Sequence, residues 1–276
     1  MSGCNFIIEP DRVQCSQDDD CANRGPEFSG SVCVQSMCQF VEPEDPLWGC
    51  LDGPPPEAPG PGPFTVNFHT QDIFRQDPET NIAIPIADMD VKVCRKLDTD
   101  CEDPEAVGLK TDANGDLSVQ VAGNFNGYVI FEKEEHTTGV YYFNPGVASD
   151  VNVSVQIGTP GIVAGLTGIV GSEQLEDRGL ILLNVLDCQG AAGGGITYKA
   201  DGTDDLSRTF YVVDGLPTAS VNATDATGYG GLVNVLPGAR TVHGEIEATG
   251  RRIDTISVRV RANAITYSRL VALGQP

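Results

Sequence analysis

The side chains with the clearest chemistry are nine cysteines, an odd number. In an oxidising compartment thiols pair as disulfides, so one of the nine is left without a partner in the chain. Four of them form a compact block with the spacing Cys15-x5-Cys21-x11-Cys33-x4-Cys38. The block has no Cys-x-x-Cys pair and no histidine nearby, which argues against a zinc site. Because so polar a segment cannot fold unaided, we predict a small module with two disulfides, and three connectivities remain open.

Two further pairs are predicted from position. Cys94 and Cys101 flank the acidic loop Asp98-Thr99-Asp100. A disulfide closing this loop would stabilise the fold by roughly 2–3 kcal/mol. Cys50 and Cys188 are then left for one another, which predicts a long-range tie between the end of the cysteine-rich block and the second half of the chain.

The ninth cysteine lies in Ser2-Gly3-Cys4. These residues resemble the last three positions of a bacterial lipobox, the signal that directs diacylglycerol onto a cysteine. Met1 stands where the hydrophobic export segment of such a signal would end. Lipid attachment at Cys4 would leave eight cysteines, an even set that can pair completely. We therefore predict a lipid anchor at Cys4, with a disulfide to Cys4 or a free thiol as the alternatives.

Alternating acidic and amide side chains raise the question of calcium. The run Asp112-Ala113-Asn114-Gly115-Asp116 places its oxygen ligands like the start of an EF-hand loop. However, the glycine falls at position four instead of six, and Gly123 stands at position twelve, where a glutamate is needed. A β-turn explains the same residues, so we predict no cofactor, with Asp112, Asn114 and Asp116 as weak candidates for Ca²⁺. The acidic run at 98–103 is interpreted as solvated surface charge.

Motifs for catalysis are missing from the sequence. His69, His136 and His243 are far apart, none belongs to a His-Glu-x-x-His motif, and there is no Gly-x-Ser-x-Gly elbow. We predict no catalytic residue. The alternative is a metal-dependent carbohydrate-binding protein or a hydrolase with a loop-borne site, on Glu132–Tyr142 or on Gly190–Thr209.

The formal charge of −22 comes from 39 acidic and 17 basic side chains. Nucleic acids and anionic membrane surfaces are both bound by basic surfaces, so this charge argues against both as partners. Residues 1–63 carry eleven acidic and two basic side chains, residues 64–157 carry sixteen and six, and residues 158–276 carry twelve and nine. The negative charge is therefore concentrated in the first part of the chain, where it would hold the remainder away from an anionic membrane.

The elements that must position these residues are mostly strands. Apolar and polar residues alternate in Val151–Ile157 and again in Ile256–Arg261, which predicts strands with one face on a core. Further short β-rich runs separated by Gly, Pro, Asn and Asp are typical of β-sandwiches. The proline-rich segment Gly53–Pro63 predicts a semi-rigid linker. Pro160–Asp177 has apolar residues at helical spacing and is interpreted as a connector with helical character.

These signals divide the chain into six segments. We predict an N-terminal tether at 1–14, a cysteine-rich disulfide module at 15–50, a Pro/Gly linker at 51–63, a first β-sandwich at 64–157, a connector at 158–178 and a second β-sandwich at 179–276.

A short internal repeat supports two similar β units. Residues 111–121 and 224–235 both begin with Thr-Asp-x-x-Gly and continue as an alternating strand. Asp at the start of such a turn accepts backbone hydrogen bonds, and Gly supplies a positive φ.

The repeat resembles the carboxypeptidase regulatory-like, transthyretin-type β-sandwich, in which such a turn leads into an apolar strand and then Pro-Gly. The second copy continues to Asn234-Val235-Leu236-Pro237-Gly238, whereas the first has Asn124-Phe125-Asn126-Gly127-Tyr128. The whole chain resembles exported bacterial lipoproteins that join a cysteine-rich head to two such sandwiches, a resemblance carried by Trp48–Cys50, Val91–Cys94, Tyr142–Pro145 and Asp187-Cys188. It implies an all-β fold with two Greek-key, transthyretin-like β-sandwich domains after a small disulfide-rich N-terminal module.

The function expected from these features is non-catalytic. The resemblance implies a cell-surface or secreted protein that binds an unidentified protein or glycan, supports adhesion, or takes part in envelope assembly. We expect it outside the cytoplasm, secreted or anchored to the outer membrane, with the lipid on Cys4 as its contact with the membrane and with no nucleic acid as partner.

Overall fold

The computed structural model describes residues 13–25, 28, 31–40, 47–54, 60–80 and 82–273. The chain forms two compact units, Met1–Asp45 and Pro46–Pro276. The described helices are α1 (Asp18–Ala22) and α2 (Pro160–Ile169), with a short 3-10 helix at Gly49–Asp52. The strands are β1 (Ser31–Val34), β2 (Met37–Phe40), β3 (Phe64–Gln76), β4 (Ala83–Pro85), β5 (Asp90–Cys94), β6 (Ala106–Lys110), β7 (Asp116–Val121), β8 (Tyr128–Glu132), β9 (Thr138–Tyr142), β10 (Val151–Ile157), β11 (Gly179–Leu186), β12 (Ile196–Ala200), β13 (Arg208–Val213), β14 (Leu216–Thr218), β15 (Tyr229–Val235), β16 (Gly238–Ile246), β17 (Arg252–Val260) and β18 (Ala264–Val271). The predicted all-β class is confirmed.

The described residues of the N-terminal unit form α1 and the hairpin β1–β2. Cys33 and Cys38 lie opposite each other in the hairpin. They form disulfides with Cys15 and Cys21 respectively, before and within α1. The structure thus selects one of the three possible connectivities. The Asp20 carboxylate accepts hydrogen bonds from the backbone and hydroxyl of Ser16, which hold its pKa below the ordinary value.

The first half of the larger unit is a β-sandwich. One layer is the four-stranded sheet of β10, β3 and β4 with β7 paired to β3; the other is the run β9–β8–β5–β6. Val66, Phe68, Val153 and Val155 point from the first layer into the core. Phe68 lies edge-on to Phe131 of the second layer, with ring centroids 5.2 Å apart. The alternation in Val151–Ile157 therefore does place one face on a core and the other in solvent.

The second half repeats this arrangement. The parallel pair β3–β10 corresponds to β11–β18, and the antiparallel pairs β3–β7 and β8–β9 correspond to β11–β15 and β16–β17. Its layers are β18–β11–β15–β13–β14 and the three-stranded sheet β12–β16–β17. Tyr198 of β12 stacks on Tyr211 of β13 across the core, with centroids 5.6 Å apart.

The two sandwiches are joined edge to edge. Ala264–Tyr267 of β18 pairs in parallel with Thr138–Tyr141 of β9, which merges two layers into one nine-stranded sheet. Each half of this sheet therefore has its own sandwich partner on one face and is partly covered on the other. All four residues Tyr128–Phe131 are buried for this reason, Val129 and Phe131 on one face and Tyr128 and Ile130 on the other.

The segments between the sheets also differ from the predicted limits. The unit boundary falls between Asp45 and Pro46, because Trp48 and Leu51 are buried in the core of the larger unit. Cys50 therefore belongs with the sandwiches and not with the N-terminal module. In the described part of the linker, the carbonyl oxygen of Pro61 accepts a hydrogen bond from the Gly123 N–H at 2.9 Å. Within the predicted connector at 158–178, α2 begins after Thr159, whose hydroxyl accepts from the N–H of Ile162.

Candidate functional site

The two predicted pairs of cysteines outside the N-terminal module are disulfides in the structure. Cys94, at the end of β5, is joined to Cys101. Cys50 is joined to Cys188, which fixes the segment around the 3-10 helix to the turn after β11. Cys4, the predicted lipid attachment site, lies outside the described residues.

The predicted calcium candidates form a turn between β6 and β7. The Asp112 carboxylate accepts the N–H groups of Asn114 at 2.8 Å and Asp116 at 2.9 Å, which lower its pKa. Asp116 in turn contacts the ring of His69, with 2.7 Å from Oδ1 to Nδ1. The carboxylates are thus occupied by the protein itself, as a β-turn requires.

The other acidic and histidine side chains are not gathered into a cluster of metal ligands among the described residues. Across the described ranges, a single group of three or more potential ligand atoms is close enough to hold a metal, that of Cys15, Cys21 and Cys38, and all three are in disulfides. Asp98 of the acidic loop accepts backbone N–H groups of residues 102 and 103, which lower its pKa. His136 contacts its own turn, and His243 lies 3.3 Å from Glu245. Within the described residues, the loops Glu132–Tyr142 and Gly190–Thr209 therefore bring together no group of three potential metal ligands.

The hollows in the described part of the larger unit include two of similar size. One, of about 470 Å³, is lined by Leu51, Glu245, Gly250, Arg251 and Arg252. Its charged groups are already paired: Arg251 forms a bidentate ion pair with Asp52, and Glu245 contacts Lys199 and Arg252. This hollow has no charge left over for a ligand.

The other hollow is a groove of about 460 Å³ over the nine-stranded sheet, bounded by β10 and α2. We call it the aromatic groove. It lies on the face of the second sandwich that points away from its own core, where the four-stranded sheet ends. Its volume falls within the range of roughly 300–1,000 Å³ that is usual for ligand sites.

Two rows of side chains form the floor of the aromatic groove. The inner row crosses five neighbouring strands and consists of Phe210, Gly231, Leu182, Tyr267 and Tyr141. The outer row consists of Tyr229, Asn184 and Arg269 on β15, β11 and β18. The floor is therefore apolar and aromatic on the inside and polar towards solvent.

Glycines allow the strands of this floor to lie close together. A Cβ on Gly231 would overlap the carbonyl oxygen of Ile181, and one on Gly230 would lie 2.6 Å from that of Phe210. Both positions therefore require glycine, which leaves Tyr229 beside a stretch of floor without side chains. The Tyr229 side chain is 52% exposed.

Two polar groups of the groove have no partner. Tyr141 is only 6% exposed, yet its hydroxyl forms no hydrogen bond to any described residue. The Arg269 guanidinium likewise forms no ion pair or hydrogen bond with any described residue. Burial raises the pKa of the Tyr141 hydroxyl, and the positive charge of Arg269 partly offsets this rise. The Tyr141 hydroxyl opens into the groove and Arg269 is half-buried, so both polar groups are accessible to a ligand there.

The wall of the groove is the outer edge of β10, with which no described strand pairs. Within the four-stranded sheet, β10 has β3 as its neighbour on one side. On its other side, the hydroxyl of Tyr267 donates a hydrogen bond to the carbonyl oxygen of Gln156. Backbone groups of this edge therefore open towards the aromatic groove, which Ser154 and Gln156 also line.

No single stretch of sequence reveals this site. Its residues come from six strands of the nine-stranded sheet, from β3 and β10, and from α2. Tyr267-Ser268-Arg269 shows alternation, but nothing local indicates that Arg269 has no carboxylate beside it. The available signal was an arginine in a strand of an otherwise acidic chain, and it becomes informative only when the strand order is known.

No protein-family model matches the chain, and no curated protein matches it. Among solved structures, it is similar to the shaft pilin spaA from Lactobacillus rhamnosus GG, at 12% identity over 78% of this chain and 100% of that chain, with a TM-score of 0.25. BcpA, the major pilin subunit of Bacillus cereus, gives 11% identity over 78% and 100%, with a TM-score of 0.27. The Bacillus anthracis TIE protein gives 10% over 77% of this chain and 34% of that chain, with a TM-score of 0.25, so the chain spans about a third of its length. TM-scores this low do not establish a common fold or function.

Neither described α-helix has the length and apolar composition needed to cross a lipid bilayer.

Proposed function

We propose that this chain is an extracytoplasmic, non-catalytic binding protein and that the aromatic groove is its ligand site. The observation that carries the proposal is the hydroxyl of the largely buried Tyr141 side chain beside the half-buried Arg269 guanidinium, both without a partner among described residues, in a groove of about 460 Å³. An apolar floor supplies affinity and a few convergent polar groups supply orientation, which is the usual design of a ligand site.

The disulfides support a location outside the cytoplasm. The structure pairs eight cysteines into four disulfides. Such bonds persist in oxidising compartments and are rare where thiols are kept reduced. Lipid attachment at Cys4 and membership among carboxypeptidase regulatory-like sandwich lipoproteins belong to this proposal. Mass spectrometry of the native protein tests the first, since an N-terminal peptide without diacylglycerol on Cys4 would contradict it.

The partner is a protein or glycan presented at the cell surface. An exposed tyrosine such as Tyr229 is suited to both, since aromatic faces contact sugar rings as well as peptide side chains. The alternative of a metal-dependent carbohydrate binder or hydrolase has no supporting cluster in the described residues.

The proposal is tested by binding of the full chain to a glycan array and to a peptide array. Tyr229→Ala and Arg269→Gln should each weaken the binding seen with the wild type about tenfold or more, because each removes a group of the groove floor. The matched controls are Leu97→Ala, an exposed apolar side chain outside the groove, and Arg259→Gln, whose partner is Asp100. The proposal would be overturned if the groove variants bind as tightly as the wild type while the control variants bind more weakly. It would also be overturned if the wild type binds neither array.

A further inference from the structure

We propose that the aromatic groove accepts an extended peptide segment of a partner protein, which adds as a strand to β10 and places a carboxylate against Arg269. This inference rests on the proposed function and specifies its ligand class. It follows from three observations: the edge of β10, the space beside that edge, and the charge at the end of the groove.

Among the described residues, no strand pairs with the outer edge of β10, where the Gln156 carbonyl accepts a hydrogen bond from the Tyr267 hydroxyl. Natural sheets guard their end strands with charge, proline or short length, because a free edge pairs with other chains. In the larger unit, the end strands β4 and β14 have three residues and a proline each. The end strands β6, β7, β12 and β17 contain Lys110, Asp116, Lys199 and Arg252 respectively. β10 has seven residues, Val-Asn-Val-Ser-Val-Gln-Ile, with neither charge nor proline. It has the composition of a strand that is normally covered.

The space beside this edge fits one more strand. The four-stranded sheet covers the nine-stranded sheet as far as β10 and then stops, while the floor continues through β18, β11 and β15. Stacked sheets lie about 10 Å apart and neighbouring strands about 4.8 Å apart, so a strand added to β10 would run above the floor at the normal spacing of a sandwich. Its side chains on one face would meet Leu182, Tyr267 and Phe210.

The positive charge of Arg269, in the outer row of the groove floor, favours a carboxylate as the ligand group. Arg269 is the positive group of the outer row, and Tyr141 offers a hydroxyl near it. A guanidinium and a hydroxyl without partners together match a carboxylate, which accepts charge-assisted hydrogen bonds. The carboxylate can be a chain terminus or an Asp or Glu side chain, and the experiment separates the two.

The experiment uses the full chain and a pool of heptapeptides with alternating apolar and polar residues. Four sets are compared: free C-terminal acid, C-terminal amide, amide with one Glu, and amide with one Gln. We expect the carboxylate-bearing sets to bind roughly ten- to hundredfold more tightly than their neutral counterparts, since hydrogen bonds to charged groups are the stronger ones. Arg269→Gln should abolish this preference, whereas Arg259→Gln should keep it. The set that binds, acid or Glu, identifies the source of the carboxylate.

Strand addition is tested by two changes that leave the groove floor intact. Peptides N-methylated at alternate backbone positions cannot complete a ladder, and at least one of the two alternating patterns should lose binding. Ser154→Lys should weaken binding by charging the edge, while Ser257→Lys on the end strand β17 should not. Hydrogen exchange should slow in Val151–Ile157 on binding and remain unchanged in β17.

The outcomes separate this inference from the proposed function. Equal binding of N-methylated and unmodified peptides would overturn strand addition, and equal binding of acid and amide would overturn the carboxylate. A glycan that binds the groove while the whole peptide pool fails would overturn the inference and keep the proposed function. Failure of every peptide and every glycan at the groove would overturn both.

Discussion

Gly115 and Gly228 hold equivalent positions in the two sandwiches. The Gly115 carbonyl accepts the N–H of Thr70 in β3 at 2.8 Å, and the Gly228 carbonyl accepts the N–H of Val185 in β11 at 2.9 Å. Both glycines end a Thr-Asp-x-x-Gly turn with positive φ, 77° and 69°. The sequence repeat is thus a structural repeat, in which each turn fixes one strand of a sandwich against the next.

Gly228→Ala should destabilise the fold by about 3 kcal/mol, because strained φ alone costs 1–3 kcal/mol and the new Cβ would lie 2.7 Å from the Val185 carbonyl oxygen. Gly190→Ala is the control, with a φ of 76° and open space around the added atom. It should cost only about 1–2 kcal/mol, the price of the left-handed conformation. Urea unfolding of both variants measures the difference, and equal losses would show that the overlap is unimportant.

The threonine that begins each turn should be similarly sensitive. Thr224 is buried, accepts from the N–H of Ile196 and donates to the carbonyl of Gly193, both at 3.1 Å. Thr224→Val would leave both backbone groups unsatisfied, at a cost of roughly 2 kcal/mol or more, whereas Thr224→Ser keeps the hydroxyl and should cost less. Thr111 makes the matching contacts with Met89 and Ile86. If Val and Ser variants are equally stable in denaturant titrations at either position, the hydroxyl has no such role.

The two disulfides of the larger unit should differ in their contribution. Cys50–Cys188 spans 138 residues and Cys94–Cys101 spans 7. On loop-closure entropy, replacing the first pair with serines should cost about 5 kcal/mol and replacing the second about 2 kcal/mol. Chemical denaturation of the two double variants tests this order, and a larger loss from the short loop would contradict it.

Acid should weaken the fold through Asp204. Arg178 is nearly buried and forms a bidentate ion pair with Asp204, with both N–O distances 2.8 Å, which holds the Asp204 pKa well below its ordinary 3.8. A carboxylate with a lowered folded pKa stabilises the fold above its unfolded pKa, and this contribution is lost as pH falls through the folded value.

The measurement is the urea midpoint of wild type and Asp204→Asn between pH 7 and pH 2. The gap between the two should be largest above about pH 5 and should narrow progressively as the pH falls from about 5 to 2. Asp205→Asn is the control, since Asp205 forms no hydrogen bond or ion pair with any described residue and lies beside Asp204. A gap of the same size at pH 2 as at pH 7 would rule out the ion pair as its source.

The strands that could be predicted are those of the outer layers. Val151–Ile157 and Ile256–Val260 alternate because one face packs on a core and the other is solvated. Strands of the nine-stranded sheet, such as Tyr128–Phe131, are apolar on both faces. A continuous apolar run predicts the position of a strand, but it does not indicate which of its side chains point to which neighbouring layer. The pairs Cys50–Cys188 and Cys94–Cys101 followed from counting and position.

Neither the edge-to-edge pairing of the two sandwiches nor the aromatic groove could be predicted from the sequence. Residues 138–141 and 264–267 are distant in the chain, and edge-to-edge pairing leaves no mark on either strand. The groove depends on that junction, because Tyr141 and Arg269 approach only when β9 and β18 are neighbours. Assigning Cys50 to the cysteine-rich module failed for a related reason, since the burial of Trp48 against distant strands has no local signature.

The junction between β9 and β18 also determines how the protein can move. Rotation of one sandwich against the other would have to break a backbone ladder between two buried strands, so the usual hinge between tandem domains is absent from the pair. The floor and wall of the aromatic groove are carried by different sandwiches and are therefore held at a fixed separation before anything binds. A ligand entering such a preformed slot loses its own freedom but imposes little ordering on the protein, which favours tight binding from a small contact area.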